Sequence, residues 1–151
     1  MPIQKNYVEE IVKMIWSTTF SMEANPSAQK IELNDPGLDR VSIQITGKWN
    51  GVIVMFLSPK LLEKMTPVFF PSDSNEHSKE ELGETLCELG NMVGGNIKNL
   101  MPSPSTLAIP VTAFSDETLD FPHTKKILQM NFECQGLGFG VCLLESEPSP
   151  A

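Results

Sequence analysis

Cysteine and histidine are scarce in this chain: Cys87, Cys134 and Cys142 are the three cysteines, His77 and His123 the two histidines. The cysteines are odd in number, lack Cys-x-x-Cys spacing and sit inside apolar patterns. They read as reduced core thiols and exclude a disulfide framework or a structural zinc site. The histidines lie far apart in polar or Pro-flanked stretches with no third ligand type clustered near either, so a resident metal or a Cys/His hydrolase has no footing. Positive charge is also short, 11 Lys+Arg against 19 Asp+Glu for a net charge of −8. Nucleic-acid affinity is built from clustered Lys and Arg, so a nucleic-acid binder is excluded. No run approaches the roughly 18 apolar residues that cross a bilayer, and Met1-Pro2-Ile3-Gln4-Lys5-Asn6 lacks the apolar centre of a signal peptide. A soluble, cytoplasmic protein without membrane association is expected.

What is present is patterning. At 151 residues the chain can bury about 68–70% of its unfolded surface, and the prior is one domain. Val8, Ile11, Val12, Ile15 and Trp16 fall at helical spacing within residues 7–20, with Glu9, Glu10 and Lys13 opposite. Residues 29–34 and 41–46 read as strands, the second alternating Val41, Ile43 and Ile45 with Ser42, Gln44 and Thr46. A break at residues 47–51 before the apolar run Val52 to Leu57 predicts a hairpin. Ser58-Pro59 reads as a helix start, a hydroxyl N-cap followed by Pro at the first helical position. The longest helical pattern runs from about Lys79 to Met101, ended by Pro102 and Pro104. Residues 105–114 read as a strand whose Pro110 favours an edge or bulge. Residues 126–134 form another, and Gly136, Gly138 and Gly140 mark a turn before a closing strand. The expected fold is α+β, an antiparallel sheet packed with about three helices. Residues 1–145 make a single domain and 146–151 a disordered tail.

The long helix carries most of the information. At about 100° per residue, Leu82, Leu86, Leu89, Val93, Ile97 and Leu100 form one core-facing stripe, while Glu84, Glu88, Asn91, Gly95 and Lys98 share the opposite face. Glu88 and Asn91 are neighbours at i and i+3. Asn is a poor mid-helix residue, and each glycine of Gly94-Gly95 costs about 1 kcal/mol relative to Ala. Gly90 and Gly94 fit tight packing against a neighbour. Gly95, on the outer face, fits close approach by something else.

Glu88-Leu89-Gly90-Asn91-Met92 followed by Gly94-Gly95-Asn96 resembles the signature helix of the CheC/CheX/FliY chemotaxis phosphatases, whose motif is Glu-x-x-Asn on an exposed helix. The order of elements also resembles the CheX branch. CheC carries two copies of the motif and CheX one. Glu9 and Glu10 in the first helix have no Asn three residues later, which favours the single-site CheX type. The resemblance implies a bacterial two-component phosphatase that removes phosphate from the aspartyl-phosphate of a CheY-like receiver. It implies Asn91 orienting the attacking water and Glu88 pairing with the receiver's lysine. Glu84, Gly95 and Lys98 become partner-binding candidates. No cofactor of its own is implied, the Mg²⁺ being supplied by the receiver.

Two other readings remain open from the residues. The first is a non-catalytic CheX-like module that docks on a receiver or another protein, since a four-residue motif recurs by chance. The second is a homodimer or scaffold that pairs its apolar strands across an interface.

Overall fold

The computed structural model describes residues 3–74 and 76–148. Helix α1 spans Lys5–Phe20, β1 Asn25–Pro26, β2 Asp39–Gly47, β3 Gly51–Leu57 and α2 Pro59–Met65, which runs into a 3₁₀ turn at Thr66–Val68. Helix α3 spans Lys79–Lys98, β4 Ser105–Leu107, β5 Val111–Ala113, β6 Thr124–Cys134 and β7 Leu137–Ser146. The strands form one antiparallel sheet ordered β1-β6-β7-β3-β2-β4, with β5 also on β2. The fold is α+β, with three α-helices among the described residues.

The helices pack on one face of the sheet. Val8, Val12, Ile15 and Trp16 of α1 join Leu86, Leu89, Val93 and Ile97 of α3 over Val41, Ile45, Met55 and Phe139 in one apolar core. Trp16 stacks on Phe139 at 4.3 Å, and Phe139 on Phe132 at 5.1 Å, so α1 is fixed to β6 and β7 by an aromatic column. A smaller cluster, Ile31, Val54, Phe56, Cys142 and Leu144, lies on the opposite face.

That far face explains why residues 29–34 are not the strand their composition predicts. The segment crosses the sheet as irregular chain held by side-chain donors. Gln129 Nε2 donates to Ile31 O at 2.7 Å and Asn131 Nδ2 to Gln29 O at 3.1 Å. The buried Arg40 guanidinium donates to the Leu33, Leu38 and Asp35 carbonyls. With its carbonyls satisfied this way, the segment needs no strand partner.

Other boundaries shift for local reasons. Pro59 begins α2 as expected, but the Ser58 hydroxyl caps nothing; the Ser58 carbonyl accepts from Leu61 and Leu62 N–H instead. Helix α3 starts at Lys79 under a capping box, Glu81 N–H to Ser78 Oγ at 3.1 Å and Ser78 N–H to Glu81 Oε1 at 3.0 Å. It ends at Lys98, three residues early, because the Leu100 and Met101 N–H groups turn to the Ile97 and Lys98 carbonyls. Leu100 therefore leaves the core stripe and is 40% exposed. Of the three C-terminal glycines only Gly136 turns, at φ +78°. Gly138 and Gly140 lie within β7, where a Cβ would strike Ile31 and the Phe56 ring. Strand β7 runs through Ser146, whose N–H donates to Asn50 O at 2.9 Å, and Glu147 N–H donates to His123 O. Residues 149–151 of the expected tail lie outside those described.

Helix α3 crosses β2 where it presents Gly90 and Gly94. A Cβ on Gly90 would stand 2.8 Å from Ile43 Cδ1 and 2.9 Å from Val41 Cγ2, and one on Gly94 2.9 Å from Ile43 Cδ1. Gly90→Ala should therefore destabilise the protein. Overpacking costs about 1–3 kcal/mol, which exceeds the helix gain of about 1 kcal/mol. The expected readout is a lower urea midpoint at unchanged m-value; a midpoint at or above wild type would show that Val41 and Ile43 yield freely.

Candidate functional site

Seating α3 on β2 through Gly90 and Gly94 determines what faces outward. Leu86, Leu89, Val93 and Ile97 are fully buried, while Glu84, Glu88 and Asn91 are exposed and Gly95 and Lys98 half-buried. Glu88 and Asn91 stand one turn apart on the same face, their Cβ atoms about 5–6 Å apart by helix geometry. Among the described residues neither side chain has a hydrogen-bond or ion-pair partner, so both are free to bind outward. A Cβ on Gly95 would meet nothing within 4 Å, in contrast to Gly90 and Gly94. The two packing glycines and the one that opens the surface are thus separated by geometry.

Beside this face α3 and β4 enclose a groove of about 490 Å³, lined by Asn91, Gly95, Lys98 and Asn99 on the helix side and Ser105–Leu107 on the strand side. Glu84 and Glu88 stand outside it, farther up the same helix face. The sequence pattern reads residues 105–114 as one strand, which the structure breaks into β4 and β5, and it does not place that strand beside α3. The β4 wall exists because Ile45, Thr46 and Gly47 pair with Leu107, Thr106 and Ser105, a contact between distant segments. Asn96, beside the motif and also lining the groove, is tied to its own helix, its Nδ2 donating to Met92 O at 2.7 Å.

Among the described residues no three His, Cys, Asp or Glu side chains converge as metal ligands. No helix among them is long and apolar enough to cross a membrane. Cys134 and Cys142 are buried, and burial pushes the Cys142 thiol up to about 11. Cys87, next to Glu88 in α3, is only half-buried. Its pKa is raised by burial and then by the negative charges of Glu88 and Glu84.

Residues 40–133, more than half of the chain, match the family described as chemotaxis phosphatase CheX. The chain belongs to that family. Its fold is that of CheX from Vibrio vulnificus, at 18% identity and TM-score 0.75 over 94% of this chain and 95% of that one. CheX from Desulfovibrio desulfuricans is similar, at 16% identity and TM-score 0.75 over 93% and 97%. A chain of the CheX–CheY–BeF₃–Mg²⁺ complex from Borrelia burgdorferi aligns at 14% identity and TM-score 0.67 over 94% and 97%. No curated protein sequence matches at a significant level. CheX membership covers α3 and the groove, both inside residues 40–133.

Cys87 reports on the charge of this CheX-type helix face. Glu88→Gln removes one of the anions that disfavour its thiolate, so the Cys87 pKa should fall and alkylation near pH 8 should accelerate. Peptide mapping after pulse alkylation should find Cys87 modified before Cys134 or Cys142. An unchanged alkylation rate in Glu88→Gln would show that the two side chains do not sense each other.

Proposed function

We propose that this chain hydrolyses the aspartyl-phosphate of a CheY-like receiver, with Asn91 as the residue that positions water and Glu88 as the residue that docks. The observation that carries the proposal is the pair itself: an exposed, unpartnered Glu-x-x-Asn face with open space over Gly95, in a CheX-family chain. The fold relative from Borrelia burgdorferi, captured with CheY, BeF₃ and Mg²⁺, supports a receiver as the partner.

The chemistry asks little of this protein. The oxygen of a water molecule bonds to phosphorus as the bond to the aspartyl oxygen breaks, releasing the receiver carboxylate, inorganic phosphate and a proton. A carboxylate with a pKa near 4 leaves without a general acid, so a neutral amide can serve. The Asn91 side-chain oxygen accepts from the water and its NH₂ donates to a neighbouring acceptor, holding the nucleophile in line. The receiver's Mg²⁺ neutralises charge on the phosphoryl oxygens. Glu88, solvated in the free protein, pairs with the receiver's lysine and loses its water on docking, which makes the pair selective for register. Glu84 and Lys98 flank the pair with opposite charges, and Gly95 keeps the surface low beneath the incoming partner.

The two roles separate kinetically. Asn91→Ala should lower turnover on the order of 10²-fold, about 2.7 kcal/mol of barrier, with little change in KM. Glu88→Ala should raise KM and lower turnover less. Both should melt within a few degrees of wild type, since exposed substitutions usually change stability by less than about 0.5 kcal/mol. Phosphate release from a phosphorylated receiver at substoichiometric protein measures all of these. Wild-type rates in both variants would remove the assignment, and receiver binding without turnover by wild type would make this a docking module. Gly95→Ala separates approach from packing: it should raise the melting temperature, through a helix gain of about 1 kcal/mol, while raising KM. A lower melting temperature would assign Gly95 to internal packing.

A further inference from the structure

The edge of the sheet beside α3 carries an apolar residue that the fold leaves uncovered. Ile109 is 86% exposed, against 40–55% for the other exposed large apolar side chains, Tyr7, Met14, Val68, Leu100 and Val111. Single exposed apolar residues are ordinary on a protein surface, so exposure alone decides nothing. Position does. Along β2, Ile45 pairs with Leu107 but Ser42 with Val111. The sums of the paired numbers differ by one, so Ile109 and Pro110 together oppose Ile43 as a bulge. Leu107 faces α3, lying 3.5 Å from where a Gly94 Cβ would be. Residues 108–110 are irregular chain between β4 and β5, so Ile109 lies two residues and at most about 7 Å beyond Leu107, its side chain in solvent. Leu107 lines the same groove as Asn91.

We propose that Ile109 is an apolar anchor for the phosphorylated receiver, seated beside its phosphoryl site while Asn91 enters that site; this rests on the phosphatase reading above. A specific interface of standard size buries about 800 Å² per partner, a patch of about 16 Å radius. A receiver centred over Asn91 covers the groove and reaches Ile109. The covered patch then takes in Ile109, the most exposed large apolar side chain among the described residues, beside the groove. A second copy of this chain adding a strand here is disfavoured by the edge itself. Strands β4 and β5 are three residues each, interrupted by the bulge and by Pro110, which has no N–H to donate. Short, bulged, proline-bearing edges are those that resist strand addition. The residue thus serves a partner that presents a surface rather than a strand.

Val111 provides the matched control. It pairs with Ser42, which pairs with Val54 of the far-face cluster, so its side chain points away from α3. The test uses the full chain and a CheY-type receiver that wild type dephosphorylates, read by phosphate release, by titration against the receiver's BeF₃–Mg²⁺ form and by sedimentation velocity. Ile109→Asp should raise KM and the dissociation constant about tenfold, and Ile109→Ala less, with kcat, melting temperature and sedimentation coefficient unchanged. Val111→Asp should leave all of them at wild-type values. Wild-type affinity in Ile109→Asp, while Asn91→Ala still loses turnover, would overturn the anchor and leave the phosphatase reading standing. Equal losses in Ile109→Asp and Val111→Asp would trace the effect to added charge and overturn it too. A change in sedimentation coefficient would assign the edge to contact between copies. If no CheY-type receiver is bound or dephosphorylated by wild type, both proposals fall together.

Discussion

The flush seating of α3 on β2 is the contact on which the rest of the molecule depends. Gly90 and Gly94 bring the helix backbone down onto Val41 and Ile43 until a single added methyl on either would have to displace a side chain. A helix has one rotational setting compatible with that approach. With Gly90 and Gly94 beneath, and Leu86, Leu89, Val93 and Ile97 filling the space between α1 and the sheet, the direction of Glu88 and Asn91 is no longer free. At 100° per residue they must point to solvent. The same approach brings Leu107 against the helix flank and creates the groove beside Asn91.

The helix accordingly uses glycine for two opposed purposes within six residues. Gly90 and Gly94 remove side chains on the inner side so that apolar packing can close. Gly95 removes one on the outer side, where nothing within 4 Å competes for the space. Glycine lowers helix stability at each position, and the capping box of Ser78 and Glu81, together with the fully buried leucine, valine and isoleucine face, offsets that cost. A proposed catalytic face that consists of one amide, one carboxylate and a low surface needs rigidity more than chemical equipment. The aromatic column of Trp16, Phe139 and Phe132 helps supply it by locking α1, and with it the neighbour of α3, to the sheet.

The opposite face of the sheet follows different physics. Among the described residues its cluster has five buried side chains with half-buried apolar residues packed on them, and its cover is irregular chain tied down by Arg40, Gln129 and Asn131. Those bonds satisfy backbone carbonyls one at a time, and Ile31 anchors the segment over Gly138. The division leaves the packed side of the sheet to position the candidate pair.

Local pattern accounts for what the sequence alone determined: helix α1, the start of α3, its buried stripe, the outward placement of Glu88 and Asn91, the β2–β3 hairpin and the edge position signalled by Pro110. These depend on neighbours three or four residues apart, or on alternation within one strand, and such periodicities are written directly in the chain. The Glu-x-x-Asn resemblance was legible for the same reason. The tertiary structure decided what depends on residues far apart. Residues 29–34 are apolar enough to read as a strand, yet their carbonyls are taken by side chains from residues 40, 129 and 131. Gly138 and Gly140 read as turn residues, but they clear space for Ile31 and Phe56. Leu100 fits the core stripe until the helix ends at Lys98. The groove wall at Ser105–Leu107 and the exposure of Ile109 exist only because β4 and β5 return to pair with β2. No local rule specifies that pairing, since it is settled by which buried surfaces and backbone bonds the whole sheet can satisfy together.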